Sequence, residues 1–235
     1  MTKLRRSLSR FVLAGMVLML LLPAGQGYAQ VTTGASLTVL RGTAAVLKAD
    51  GSPLSPAPNG LRLDVNDQVA TLAGSGALVT FFDGSEIELG SDATIIIREM
   101  SGQGSAVNVR IESVVGSTVH RVMQLADPAS FYEIQAATTV AAVRGTEFGH
   151  RRDPGGDVSV AVADGIVDFP NPGQQLGPGE KRWVTPSGAV QNGKFQLGTS
   201  LFNVVAEDIA SGGGDGPDKE EEEKERERER DRERR

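Results

Sequence analysis

Val107-Asn108-Val109-Arg110-Ile111-Glu112 alternates apolar and polar side chains without a break, the period of a β-strand that buries one face and wets the other. Val158-Ser159-Val160-Ala161-Val162 and Glu86-Ile87-Glu88-Leu89 repeat the pattern, and Ala93 to Ile97 is a more continuously apolar strand. Between such runs stand Asp50-Gly51, Asn59-Gly60, Asp83-Gly84, Pro154-Gly155-Gly156, Asp164-Gly165 and Asn192-Gly193. Asx-Gly pairs suit tight hairpins, because both central residues of a type I′ turn take positive φ. Strands about 8–12 residues apart with that punctuation favour an all-β fold over alternating βαβ units. The expected architecture is short strands and tight turns in a rolled two-layer sandwich or a β-solenoid-like domain. One short helix is expected at its C-terminal end, with Ser200 as N-cap and Leu201, Val204, Val205 and Ile209 on one face.

The first residues add a constraint of another kind. Lys3, Arg5, Arg6 and Arg10 precede the apolar run Phe11 to Leu22, and Gly27-Tyr28-Ala29 stands just before Gln30. That order is a secretory signal, and the run is shorter than the roughly 20 residues a membrane-spanning helix needs. Cleavage is expected after Ala29, with a periplasmic or secreted product and no transmembrane helix in the mature chain. The pair Arg5-Arg6 leaves the general and twin-arginine routes both open. With no cysteine in the chain there is no disulfide framework, so an apolar core must hold the fold. Removing residues 1–29 leaves 20 basic against 30 acidic residues, a net charge near −10. Such a chain lacks the basic footprint that nucleic-acid phosphates demand.

The expected division is therefore a signal at 1–29, a β domain at 30–210 and a glycine-rich linker with a charged tail at 211–235. In residues 218–235, ten acidic and eight basic side chains fill eighteen positions. Glu-Arg alternation sets opposite charges at i,i+3 but like charges at i,i+4, so a disordered or marginally helical tail is expected. An internal echo joins Leu40-Arg41-Gly42-Thr43 to Val143-Arg144-Gly145-Thr146.

Chemistry-bearing motifs are sparse. His120 and His150 have no cysteine to complete a metal set, and His150, beside Arg151 and Arg152, reads as an exposed strand-end residue. Gly74-Ser75-Gly76 resembles a nucleophile elbow only superficially; a hairpin connecting Gln68–Ala73 to Ala77–Phe82 accounts for it better. Glu86 and Glu88 share one strand face, an arrangement for glycoside chemistry or a cation that more often is a solvated face. Asp153 to Asp157 offers two aspartates in a short loop, a thin set for calcium, and no Walker-type phosphate loop occurs. No enzyme activity, cofactor or metal is expected.

The densest unusual stretch is Val143-Arg144-Gly145-Thr146-Glu147-Phe148, followed by a strand, Asp164-Gly165 and a further strand. With Asp67-Gln68-Val69-Ala70-Thr71, Phe82-Asp83-Gly84-Ser85-Glu86-Ile87-Glu88-Leu89 and Leu176-Gly177-Pro178-Gly179-Glu180, it resembles the FecR domain, the extracytoplasmic sensory module of cell-surface signalling regulators. The resemblance runs from about Leu37 to Trp183. Asn66 stands where the family usually has Gly, and Ala136-Ala137 where it usually has Thr-Pro. Regulators of this family that act on sigma factors carry a cytoplasmic segment and an internal transmembrane helix; the order of segments here implies a free-standing exported domain instead.

The resemblance implies a non-catalytic extracytoplasmic binding or sensory module that recognises an envelope protein, a polysaccharide or a small ligand. Arg144, Gly145, Thr146 and Glu147 are its candidate binding residues. On the residues alone, Arg144 and Glu147 pair across a turn and staple the sheet. The alternative function is an envelope scaffold anchored through the charged tail.

Overall fold

The computed structural model describes residues 33–137, 139–170 and 173–210; the expected signal at 1–29 and the linker and tail at 211–235 lie outside them. Among the described residues, seventeen strands and one helix follow in order: β1 Ala35–Arg41, β2 Ala44–Leu47, β3 Pro53–Leu54, β4 Leu61–Leu63, β5 Gln68–Thr71, β6 Gly76–Phe81, β7 Glu86–Leu89, β8 Thr94–Gln103 and β9 Ala106–Arg121. Then come β10 Phe131–Ala136, β11 Thr139–Val143, β12 Glu147–Arg152, β13 Val158–Asp164, β14 Val167–Phe169, β15 Gln174–Leu176, β16 Glu180–Val184, β17 Val190–Lys194 and α1 Leu201–Ala210. The all-β expectation holds, as does the two-layer form.

The front sheet runs β4-β1-β6-β7-β9-β12-β13-β16-β17. The back sheet runs β3-β2-β5-β8-β9-β10-β11-β14-β15. Only β10 against β9 is parallel among these pairs. The two orders match strand for strand: β1 continues into β2, β5 into β6, β7 into β8, β11 into β12, β13 into β14 and β15 into β16. The described strands therefore form one antiparallel sheet folded over along a crease, with β10 inserted in the back layer. β9 crosses the crease within a single strand, its residues up to Val115 pairing with β8 and those from Gly116 with β12. At that corner the backbone of Gly116 takes φ 93°, and a Cβ there would lie 2.4 Å from Ala93 Cα. Only glycine fits a strand that turns so close to another backbone.

Inward positions of both layers fuse into one core, including Leu37, Phe81, Ile87, Phe148 and Val162 from the front and Val46, Ile95, Ile111, Ile134 and Val167 from the back. The outer face of the front sheet is covered separately. Leu201, Val204 and Val205 of α1 pack on Val119 and Ala161, as the helical spacing predicts; the side chain of Ile209 lies outside the described residues.

Four turn readings are corrected by the pairings, the first being Asn59-Gly60, which joins β3 of the back sheet to β4 of the front sheet and closes no hairpin. Asp50-Gly51, Asp83-Gly84 and Pro154-Gly155-Gly156 do close hairpins. Gly74-Ser75-Gly76 does not, because β5 pairs in the back sheet and β6 in the front; it is a crease corner, where Ser75 Oγ accepts the Thr43 N–H at 2.9 Å. Asp164-Gly165 is another corner, and Asn192-Gly193 lies inside β17, whose hairpin turn is instead at Gly188. His150 is also not exposed. Alternation along β12 sends Phe148 inward, Gly149 outward against Leu201 and His150 inward again, leaving it 1% exposed.

The histidines form an interior polar cluster. His120 stacks on Phe148 with centroids 4.8 Å apart, shares a 2.7 Å hydrogen bond with Thr118 Oγ1 and a 3.1 Å one with the Tyr132 hydroxyl. His150 stands edge-on to His120 at 6.4 Å, with no hydrogen-bond partner at either ring nitrogen. Burial holds both imidazoles below their ordinary range, His150 to about 4.

Candidate functional site

The four candidate residues sit on the crease between β11 and β12, and the corner separates them. Gly145 takes φ 99°, and Thr146 is buried, its hydroxyl donating to the Ile166 carbonyl at 3.0 Å. Backbone bonds from Val122 to Thr146 and back, at 3.0 and 3.3 Å, lock the same corner to the chain leaving β9. Both residues hold this corner of the fold.

Arg144 and Glu147 do not pair, so the staple between them is corrected. Arg144 points along the back edge of the corner and donates to the carbonyls of Pro128 at 2.8 Å and Asp127 at 3.5 Å. There it ties down the 122–130 connection, whose Asp127 carboxylate accepts from Ser105 Oγ at 2.6 Å and the Ala129 N–H at 2.9 Å. Those hydrogen bonds hold the Asp127 pKa below its ordinary value. Glu147 is one residue into β12, on the outer face of the front sheet. Its carboxylate meets Arg121 at 3.2 Å, and Arg121 reaches Glu88 of β7 at 3.5 Å. All three side chains are substantially exposed, so their mutual attraction is worth little to stability and leaves them accessible.

This triad floors a groove of about 440 Å³ walled by Val119, Ala163, Gly198 to Leu201 and Phe202. On the other side of Phe202, a second depression of about 510 Å³ is lined by Arg41, Glu88, Ser91, Arg151 and Asn203. Mixed charge beside an aromatic ring, where a short helix crosses a sheet, suits recognition of a polar partner surface. Glu88 does reach this groove, though as an ion-pair partner and apart from Glu86. Among the described residues, no group of three metal-ligating side chains converges, so Asp153 and Asp157 gather no calcium set; Asp153 instead accepts the Asp157 N–H at 2.8 Å. Sequence reasoning missed Arg121, which ends β9 as an ordinary outward polar position and shows no motif.

The remaining signature residues are turn knots. Asp67 is fully buried beneath three donors, Ser85 bonds to Asp83 and receives the Met123 N–H at 3.0 Å, and Glu180 accepts the Gly177 N–H at 2.8 Å. Asn66 takes φ 69°, the left-handed conformation that glycine adopts most easily. Ala137 takes φ 51°, which proline cannot reach, so the Ala136-Ala137 turn differs from a Thr-Pro one.

The family model described as FecR protein matches residues 67–168, from the buried Asp67 to the strand after the Asp164-Gly165 corner. No curated protein matches the chain. Crystal structures at 1.65 and 2.50 Å resolution of a protein described provisionally as an anti-sigma factor, from Parabacteroides distasonis ATCC 8503, are similar to it. Each superposes with a TM-score of 0.47 at 19% identity, over 55% of this chain and 60% of that chain. No helix among the described residues is long and apolar enough to cross a membrane. The residues that the FecR protein family model matches, 67–168, span the crease corners and most of the turn motifs described above.

Proposed function

We propose that the chain is a non-catalytic sensory or binding module of the cell envelope, exported by residues 1–29, with Arg121, Glu88 and Glu147 as part of its recognition surface. The FecR domain at 67–168 carries the reading, because that class of domain is regulatory. Export by the basic, apolar, small-residue order at the N-terminus supports an extracytoplasmic partner, whether protein, polysaccharide or small ligand. The charged tail favours a second reading, an envelope scaffold held through residues 218–235.

One experiment separates them. Full-length protein is expressed in a Gram-negative host and fractionated, its mature N-terminus is sequenced, and envelope extract is passed over immobilised chain. Processing after Ala29, and capture of one partner that survives deletion of residues 211–235 but fails with Arg121→Glu, is the expected result. Capture that disappears with the tail selects the scaffold, and an unprocessed cytoplasmic product overturns export.

A further inference from the structure

The back sheet ends at β15, while the front sheet runs one strand further to β17. β17 thus forms a ledge that no strand among the described residues faces, and the inner edge of that ledge holds an arginine. Arg182 pairs with Val160 on one side and Asn192 on the other, and Val160 points into the core. Alternation therefore turns Arg182 inward between the layers, where it is 2% exposed. Its guanidinium lies 4.3 Å over the Phe169 ring. Nε donates to Asn192 Oδ1 at 2.9 Å, Nη2 donates to Gln174 Oε1, and Nη1 is buried with no partner.

No carboxylate pairs with this cation among the described residues. Glu180 lines the same groove but is turned to the Gly177 N–H, and Asp168 accepts from Gln175 Nε2 at 2.5 Å. Burying an unpaired charge is costly, and two neutral amides with one ring offset only part of that cost. Burial accordingly pushes the Arg182 pKa down. The groove above it, about 250 Å³ between Gln174, Gln175, Leu176 and Asn192, has room for one acidic side chain.

We propose that this ledge is a carboxylate-binding site, and that its ligand is an acidic side chain on an extended peptide segment lying along the free edge of β15. The Gln174 amide occupies the acceptor position in the unliganded domain. It is exposed, so it can swing aside, and a carboxylate in its place makes the stronger, charge-assisted bond and supplies the missing counter-ion. The proposal rests on the reading of the domain as a binding module and adds the chemistry of one ligand.

The test uses the full chain and two synthetic peptides, acetyl-Thr-Val-Glu-Val-Thr-amide and its Gln counterpart, followed by NMR and calorimetry. The Glu peptide is expected to bind about tenfold or more tightly than the Gln peptide, with shifts at Gln174, Gln175 and Asn192. Gln174→Glu supplies the carboxylate from within the chain; it is expected to raise the melting temperature and abolish peptide binding. Equal binding of the two peptides, or a Gln174→Glu variant that is no more stable and still binds, overturns the site. Either failure leaves the envelope-capture result untouched, so this inference and the functional reading fail separately.

Discussion

The carbonyl oxygen of Gly145 stands where a side chain on Gly165 would begin: a Cβ there would lie 2.5 Å from it and 2.8 Å from Thr146 Oγ1. The β11–β12 and β13–β14 corners are thus pressed together, which is possible because Gly165 lacks a side chain; both glycines take positive φ, 99° and 80°, and a Cβ on Gly145 would meet Gln124 Cα at 3.0 Å. Arg-Gly-Thr and Asp-Gly recur in order along the chain because they are the two halves of one crossing. The earlier echo has the same origin, since Leu40-Arg41-Gly42-Thr43 turns β1 into β2 against Ser75.

Gly165→Ala is expected to cost at least about 2 kcal/mol, combining the left-handed penalty with displacement of a backbone oxygen. Gly188→Ala is the control: φ is 85° but nothing lies within 4 Å, so about 1 kcal/mol is expected. Urea unfolding of both variants measures the difference. Equal losses would remove the close approach as a cause.

Strand periodicity and the amphipathic face of α1 were legible because each is a local pattern of burial along one segment. The crease was not, because a corner needs only a glycine, and its partner lies 20 or more residues away in an unrelated segment. Asp164-Gly165 and Asp83-Gly84 look alike in sequence, yet one crosses between layers and the other closes a hairpin. Of the four candidate residues only Glu147 reaches the groove; Arg121 gave no signal because outward charged positions on strands are common. Arg182 was equally silent, since a charged residue in an alternating strand reads as solvent-facing.

Arg144→Ala removes the donors to Pro128 and Asp127 and is expected to cost about 1 kcal/mol. The loss should be local: amide exchange quickens in residues 125–130 while β12 and β13 keep their protection. Glu147→Gln should change stability by less than about 1 kcal/mol, because its pair with Arg121 is exposed. A larger global loss from Glu147→Gln would make it a structural staple after all.

Acid should destabilise the domain through its interior. His150 titrates near 4 when folded against an ordinary 6.5, burial being the first cause and Arg152 the second. Between those values the unfolded chain binds a proton that the folded chain refuses. Stability is therefore full above about pH 6.5 and falls as the pH drops towards 4, by up to about 3 kcal/mol from this residue. His150→Leu is expected to flatten that part of the profile, leaving the contribution of His120, which shifts in the same direction. Denaturant midpoints at pH 7, 6, 5 and 4 check it, and an unchanged slope in the variant would place the acid sensitivity elsewhere.

Asp67, where the family match begins, tests whether the signature serves structure or recognition. Its carboxylate is fully buried; Oδ1 accepts the Ala49 N–H at 2.9 Å, and Oδ2 accepts the Asp64 N–H at 2.8 Å and the Lys48 ammonium. Its own backbone continues the knot, with Ile97 N donating to Asp67 O at 3.1 Å. The side chain therefore fixes the β2–β3 turn and the β4–β5 turn, and the backbone of the same residue ties them to β8. Asp67→Ala leaves two amides without an acceptor and Lys48 with the Arg62 carbonyl at 3.2 Å and Asp64 at 3.3 Å, and a loss of about 3 kcal/mol is expected. Asp67→Asn keeps one acceptor oxygen but turns an NH₂ towards another donor, so its loss should be smaller but of the same sign. Partner capture by the folded fraction should be unchanged in both. If instead either variant kept wild-type stability and lost its partner, the buried aspartate would belong to recognition, and the rest of the crease signature would need the same test.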